Sequence, residues 1–454
     1  CTNRCGKPVD ELWTTLEPEV INISYTSSRS IIHRVIQIHF SSISAFSKGL
    51  STYPQPLRLR LRIFTIFFLY KQTHQAVRKG ELSTIMKLVF DKADLVKSVA
   101  IAMKAVSGKT TMPILQCILI DASSSQIKFT SNDMELGIET IVTGMILERG
   151  IVALDAKIFS EIVRKLPDNQ VTIETDENLL TTITCEKAKF NIPGQSGEDF
   201  SYLPILETSD CVSISQFTLK ELIRQTIFSI AANENNKLMT GELFEIKDNT
   251  LRVVSLDGHR IAIRRIELKD SYPDRKVVVP GKTLNEISKI LSGEMDDQID
   301  IYFSENHIMF KFDDTTVVSR LIDGEYFRID QMLSSDYETK VTINKKEFLS
   351  CIDRATLLVK EGDKKPIIID IQDGAMELQI NSAMGSMKEE IDINKEGKDI
   401  MIGFNPKFLI DALRVIDDEE ISIYLVNPKA PCFIRNEEES YIYLILPVNF
   451  NSVR

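Results

Sequence analysis

Three stretches of the chain share one pattern of hydrophobic and polar positions: VALDAKIFSEIVRKL at 152–166, VVVPGKTLNEISKIL at 277–291 and MIGFNPKFLIDALRVI at 401–416. Each opens with an apolar run that reads as a short strand. It then passes into apolar positions three and four apart, which predict an amphipathic helix. These positions coincide between the copies as Phe159, Ile162 and Leu166; Leu284, Ile287 and Leu291; Leu409, Ala412 and Ile416. A second pattern, strand then helix, recurs ahead of them in LVFDKADLVKSVAIAM, VSISQFTLKELIRQT and VTINKKEFLSCIDRA. There Phe90, Ile214 and Ile343 share one register, as do Leu95, Leu219 and Phe348. After each second helix come alternating strands broken by polar turns, VTIETDENLLTTITC, IDIYFSENHIMFKF and ISIYLVNPKAPCFI, the last ahead of YIYLIL,. The predicted unit is strand, helix, several strands, helix, several strands, repeated at about 125 residues. A unit of that length buries its own core, so the pattern describes three domains rather than solenoid turns. The polar stretches ETSD and SSDYETK set the boundaries, giving domains at 86–210, 211–338 and 339–454 of an α+β fold.

The second helix of each unit also carries bases in register: Lys157 and Arg164, Lys282 and Lys289, Lys407 and Arg414. Seven residues apart on a helix, the two bases of a pair lie about 20° from each other, while the apolar positions fall on the opposite face. A single such stripe is ordinary solvated surface. Its repetition in all three units predicts a surface that meets a periodic polyanion through phosphates, without reading sequence.

Charge sharpens that expectation. The 454 residues carry a formal net charge of −11, with 43% hydrophobic and 26% charged residues, as in an ordinary globular protein,. The segment before Met86 is basic, which leaves the repeated body more acidic than the whole. An acidic body with basic stripes would touch a polyanion along the stripes and repel it elsewhere. No helix-turn-helix or zinc-finger spacing is present, and aromatics do not interleave with the bases. Duplex DNA held without sequence choice is the partner that fits.

Other chemistries find little support. Gly108-Lys109-Thr110 ends like a phosphate-binding loop, but Met103 stands where the first glycine belongs, and Thr111-Met112-Pro113 leads into an apolar run rather than a helix,. The seven cysteines are scattered, which reads as reduced thiols of a cytosolic protein,. Only His259 and His307 lie beyond residue 85, so neither a metal site nor a cofactor is expected,. Residues 1–85 contain PLRLRLRIFTIFFLYK, whose apolar run is too short to span a membrane,. An Arg-rich targeting arm or an interfacial helix is one reading of this extension. The preferred one starts the native protein at Met86, with translated upstream sequence before it.

Specific motifs then add a resemblance. MKLVF at 86–90, TMPIL at 111–115, SLDGHRIAI at 255–263, VVVP at 277–280, LIDGEY at 321–326, IGFN at 402–405 and LILPV at 444–448 stand in order along the body. With the threefold repeat, residues 86–454 resemble the bacterial sliding clamps, the β subunits of DNA polymerase III. The resemblance implies three DNA-clamp domains, each with two helices and antiparallel sheets, in a crescent that dimerises head to tail into a ring. Duplex DNA would thread the ring and meet the six stripe bases, Lys109 in one loop, and Asn233 and Lys237 in another. A pocket between the second and third domains would take peptides of the replicative polymerase, the clamp loader and other proteins. Its matching positions are Met239, Leu256, Gly258, His259, Arg260, Ile261, Phe327, Met332, Leu446, Pro447 and Val448. The chain departs from the family pattern at Lys237-Leu238, at Phe327 and at Gln331. The implied protein is cytoplasmic and non-catalytic. The rival reading is an enzyme with a site at His259, although Asp257-Gly258 there already reads as a tight turn.

Overall fold

The computed structural model describes residues 86–108, 110–206, 211–232, 235–359 and 365–450. The expected order of elements is present in each repeat. The first helices are α1 (Lys92–Ala102), α3 (Gln216–Thr226) and α5 (Lys345–Thr356). The second helices are α2 (Ala156–Lys165), α4 (Gly281–Ser288) and α6 (Pro406–Val415).

Local chemistry sets where these helices begin. The Asp91, Ser215 and Asn344 side chains accept from backbone N–H groups of the first turns of α1, α3 and α5, which satisfies donors that a helix start leaves open. Asp155 and Asn405 cap α2 and α6 likewise. Helix α4 has Pro280 at that position, so no side chain can cap it. It is also shorter than the pattern predicts, ending at Ser288, so that Lys289 lies on its C-terminal cap rather than inside the helix.

The two helices of each repeat pack together, α1 on α2, α3 on α4 and α5 on α6. Each pair turns its apolar face to antiparallel strands. The first core gathers Phe90, Phe129 and Phe159, with neighbouring rings edge-on at 6.0 and 6.2 Å. The second is built around Phe244 and Phe310, and the third around Phe348 and Phe404. Truncating a buried phenylalanine of this kind costs about 3–5 kcal/mol.

Sheets cross from repeat to repeat. Among the described residues a 13-stranded sheet runs through the first two, joined where Thr315–Arg320 pairs with Leu136–Val142 and Val317 faces Ile138. A seven-stranded sheet joins the second and third, where Arg260–Pro280 pairs with Tyr441–Ile445 and Ala262 faces Tyr443. A four-stranded sheet completes the third repeat and ends on Gly385–Asp392. Behind Gly108 stand a short 3-10 turn, Pro113–Gln116, and the strand Cys117–Asp121. No helix starts there to hold a phosphate, as the sequence already indicated.

Candidate DNA-facing helices and peptide groove

The six stripe bases lie on, or in the case of Lys289 at the end of, the second helices. In α2 the buried side chains are Ala156, Phe159, Ile162 and Val163, while Lys157 and Arg164 are exposed. Lys282, Lys289, Lys407 and Arg414 are exposed too. Arg164 and Arg414 sit in the last turns of their helices, where a cation is favoured by the helix dipole.

The bases are not equally available. Among the described residues Lys157, Arg164 and Lys407 make no ion pair. By contrast, Lys282 Nζ is paired with Asp133 of the first repeat, and Lys289 Nζ lies 2.7 Å from Glu286. Arg414 reaches Asp353 at 3.4 Å. Lys237 is exposed at the start of the 3-10 turn Lys237–Thr240. Lys109 and Asn233 lie outside the described residues.

The predicted pocket residues converge at the second junction. Leu256 and Ile261 belong to one buried cluster with Ile329 and Leu444, and Met239 and Phe327 pack on it half-buried. Leu446 N–H donates to the His259 carbonyl at 2.8 Å, which ties the third repeat's last strand to the second repeat's turn. Pro447 and Val448 continue from there half-buried, Val448 N–H donating to Gly403 O at 2.8 Å. Met332 and Leu446 stay largely exposed. The result is an apolar floor with exposed aliphatic edges, which suits a linear peptide carrying aliphatic or aromatic side chains.

The turn itself is as expected. Asp257 Oδ1 accepts from the N–H groups of His259 and Arg260 at 2.9 and 3.2 Å. Gly258 has φ of +87°, a conformation that costs a residue with a side chain and not glycine,. His259 is exposed, with its ring centroid 5.9 Å from that of Phe408.

Arg260 goes elsewhere. Its side chain is only 7% exposed, with Nε 3.0 Å from Asp257 and Nη1 2.7 Å from Asp411 of α6. Nη2 donates to the Phe228 carbonyl, and the guanidinium lies 4.6 Å from the Phe408 ring centroid and 5.3 Å from that of Phe228. The guanidinium therefore clasps the two repeats together behind the groove. Phe228, Phe408 and Asp411 were not singled out from sequence. A signal existed for Asp411, because an acid follows the first stripe base by four residues in every copy: Glu161, Glu286 and Asp411.

The five cysteines among the described residues are free thiols, and four of them are buried. Burial pushes Cys117 up to about 11 and Cys351 and Cys432 up to about 12, away from the reactive thiolate,. Among the described residues no group of acids, histidines and cysteines could hold a metal ion, and no helix is long and apolar enough to cross a membrane.

Comparison with known proteins agrees with this geometry. The three domain signatures of the DNA polymerase III β subunit match the chain in order, the N-terminal domain at 86–204, the central domain at 213–327 and the C-terminal domain at 330–449. The beta sliding clamp of Staphylococcus epidermidis is 34% identical over 357 residues, covering 76% of this chain and 94% of the relative. That of Staphylococcus aureus is 35% identical over the same length and coverage. Among solved structures, one from Eubacterium rectale named for the DNA polymerase III beta subunit is 71% identical. It covers 80% of this chain and all of its own, with a TM-score of 0.79. The DNA polymerase sliding clamp of Bacillus subtilis is 35% identical, covers 81% of this chain and 100% of its own, and gives a TM-score of 0.78.

Proposed function

Because the chain belongs to the DNA polymerase III β-subunit family, the bacterial sliding clamps, and is a DNA sliding clamp, we propose that it works as a closed ring of two copies joined head to tail. Duplex DNA passes through the ring, contacted without sequence choice by the stripe bases of α2, α4 and α6, by Lys237, and by Lys109 and Asn233. The ring is a non-catalytic processivity factor in the cytoplasm. The replicative polymerase, the clamp loader and other proteins dock through the groove formed by Met239, Leu256, Gly258, His259, Ile261, Phe327, Met332, Leu446, Pro447 and Val448, with Arg260 bracing it from behind. The three repeats are the domains 86–210, 211–338 and 339–454.

The observation that carries the ring is a third junction left open. At the second junction Phe228, just past α3, packs against Tyr443 of the next repeat with the rings tilted and their centroids 5.7 Å apart. By repeat register, Leu357 past α5 corresponds to Phe228, and Phe190 on the strand Ala188–Ser196 corresponds to Tyr443. Leu357 is 76% exposed and Phe190 39% exposed. The strands that would pair there, Gly385–Asp392 and the Ala188–Pro193 part of Ala188–Ser196, each have a partner on one side only among the described residues. A head-to-tail contact between copies would cover both ends, and two such contacts would close a ring.

Support for a non-catalytic role comes from His259, which has no side-chain hydrogen bond to a nucleophile or acid among the described residues, so the triad logic has no second member. The test is Leu357→Asp. The unaltered protein is expected to sediment as a dimer, and after loading onto nicked circular DNA to stay on circles and leave once they are cut. The variant is expected to sediment as a monomer and to be lost from circles. A variant that remains dimeric, or equal retention on circular and cut DNA by the unaltered protein, would overturn the ring.

A further inference from the structure

The groove at the second junction has a counterpart at the first. Asp133 Oδ1 accepts from the N–H groups of Glu135 and Leu136 at 3.0 and 2.7 Å, as Asp257 does from His259 and Arg260. The residue between is left-handed in both turns, Met134 at φ +76° and Gly258 at +87°. Arg320 N–H donates to Glu135 O at 2.8 Å, and Leu446 N–H donates to His259 O at the same distance. Strand pairing beyond the turns also corresponds, Ser319 facing Leu136 and Ile445 facing Arg260. Asn132, Glu135 and Arg320 thus occupy the places of Leu256, His259 and Leu446. A cavity of about 450 Å³ opens there, lined in part by Asn132, Met134, Glu135, Leu203, Pro204 and Arg320.

The backbone is shared, but the chemistry is not. Where Leu256 forms an apolar floor, the Asn132 amide donates to Ser201 O at 3.1 Å and accepts from Met134 N–H at 2.8 Å. That amide is buried and ties the linker to the turn. Where the second groove has the exposed edge of Leu446 and the ring of His259, the first has an exposed guanidinium and an exposed carboxylate. An apolar side chain seated there would strip water from two charges and offer neither a partner, and each polar group buried unpaired costs about 1–3 kcal/mol. The same side chain on Leu256 and Leu446 meets no such penalty and removes apolar surface from water.

Resting on the proposed reading of the second groove as the peptide site, we infer that Asn132, Glu135 and Arg320 deny the first groove to the same peptides. Each chain thereby offers one docking site, although its repeat builds two. These residues set specificity by exclusion, the repulsive half of discrimination between two similar surfaces.

Isothermal titration of the full chain with a short synthetic peptide bearing two leucines and a phenylalanine tests this. The unaltered protein is expected to bind one peptide per chain. The combined variant Asn132→Leu, Glu135→His, Arg320→Leu is expected to bind two. Leu446→Arg, which carries the excluding residue into the second groove at an exposed position, is expected to weaken binding by at least about tenfold. Two sites on the unaltered protein, one site on a combined variant that still melts cooperatively as a dimer, or undiminished binding by Leu446→Arg would each overturn the inference. If the combined variant does not fold, Leu446→Arg decides alone. No binding at all by the unaltered protein would sink the peptide-groove reading itself, an outcome distinct from one site in both proteins.

Discussion

The two junctions inside the chain are built on one plan and held by different chemistry. Both pair a strand of one repeat with a strand of the next, and both place an aspartate-capped turn beside the pairing. At the first junction the side-chain clasps are ion pairs, the exposed Lys282 with the buried carboxylate of Asp133, and the half-buried Lys104 with Glu286 at 3.9 Å. At the second the clasps include Arg260, buried and held by two carboxylates, a carbonyl and two aromatic faces, beside the more exposed pair of Arg224 with Asp417 at 2.9 Å. A pair whose lysine is reached by water is screened by salt, whereas removing one member of a pair buried on both sides strands the other and costs about 3–5 kcal/mol. Lys282 is therefore freer to change partners than Arg260 is.

The contrast breaks most easily at the buried clasp, where the expected effect is greatest. Arg260→Ala is expected to destabilise the protein by about 3–5 kcal/mol in urea unfolding, because Asp257 and Asp411 lose their partner in a closed site. Lys282→Ala takes one partner from the buried Asp133, which keeps the N–H donors of Glu135 and Leu136, and is expected to cost less, about 1–3 kcal/mol,. Equal losses in the two variants would mean that the clasps do not differ in kind.

A second difference lies within the paired strands and reads out against pH. Ile118 in the first repeat faces Leu154, and its counterpart Glu242 in the second faces Val279. Both are fully buried. Neither Glu242 oxygen has a hydrogen-bond partner among the described residues, and the nearby Thr226 hydroxyl is already donated to Leu222 O at 2.7 Å. Burial raises the Glu242 carboxyl from 4.5 to about 8. The unfolded chain releases this proton near 4.5 and the folded chain holds it to about 8, so stability falls with rising pH between those values, and this group adds no pH dependence below or above them,. Glu242→Gln removes that slope, on the order of 1.4 kcal/mol per pH unit. The variant is expected to gain stability over the unaltered protein by up to a few kcal/mol at pH 8 and to match it near pH 4.5. A difference that does not change with pH would mean that Glu242 ionises freely in the folded protein.

These contrasts also mark what the sequence could tell. The repeats, the helix pairs and the positions of the stripe bases were legible because they depend on local periodicity, which the apolar spacing of Phe159, Ile162 and Leu166 already displays. The turn at Asp257-Gly258 was legible for the same reason. What Arg260 does was not, because its partners Phe228 and Asp411 lie 32 and 151 residues away in the chain. The quenching of Lys282 by Asp133, 149 residues away, was equally hidden. The missing side-chain cap of α4 was legible too, since Pro280 stands where α2 has Asp155 and α6 has Asn405, but that cap sits at the start of the helix and does not mark its early end.

The smallest expected effect bears on whether a paired base differs from a free one when DNA arrives. A charge-removal scan of the lysines does not separate the two cases, because deleting Lys157 or Lys289 changes the net charge equally. The acids do separate them. Glu286 and Glu161 occupy the same position of α4 and α2. Glu286 holds Lys289 at 2.7 Å and lies 3.9 Å from Lys104, which is off the stripe, whereas Glu161 makes no ion pair among the described residues. Glu286→Gln and Glu161→Gln thus change the charge by the same amount, and only the first frees a base. Each phosphate contact contributes about 0.9 to the slope of log affinity against log salt. Glu286→Gln is expected to steepen that slope by about one unit for a short duplex, about a threefold change in affinity between roughly 50 and 200 mM salt. Glu161→Gln is expected to leave the slope as it was. Identical slopes in the two variants would show that the phosphate already draws Lys289 away from Glu286, making the ion pairs of α4 a feature of the DNA-free protein alone.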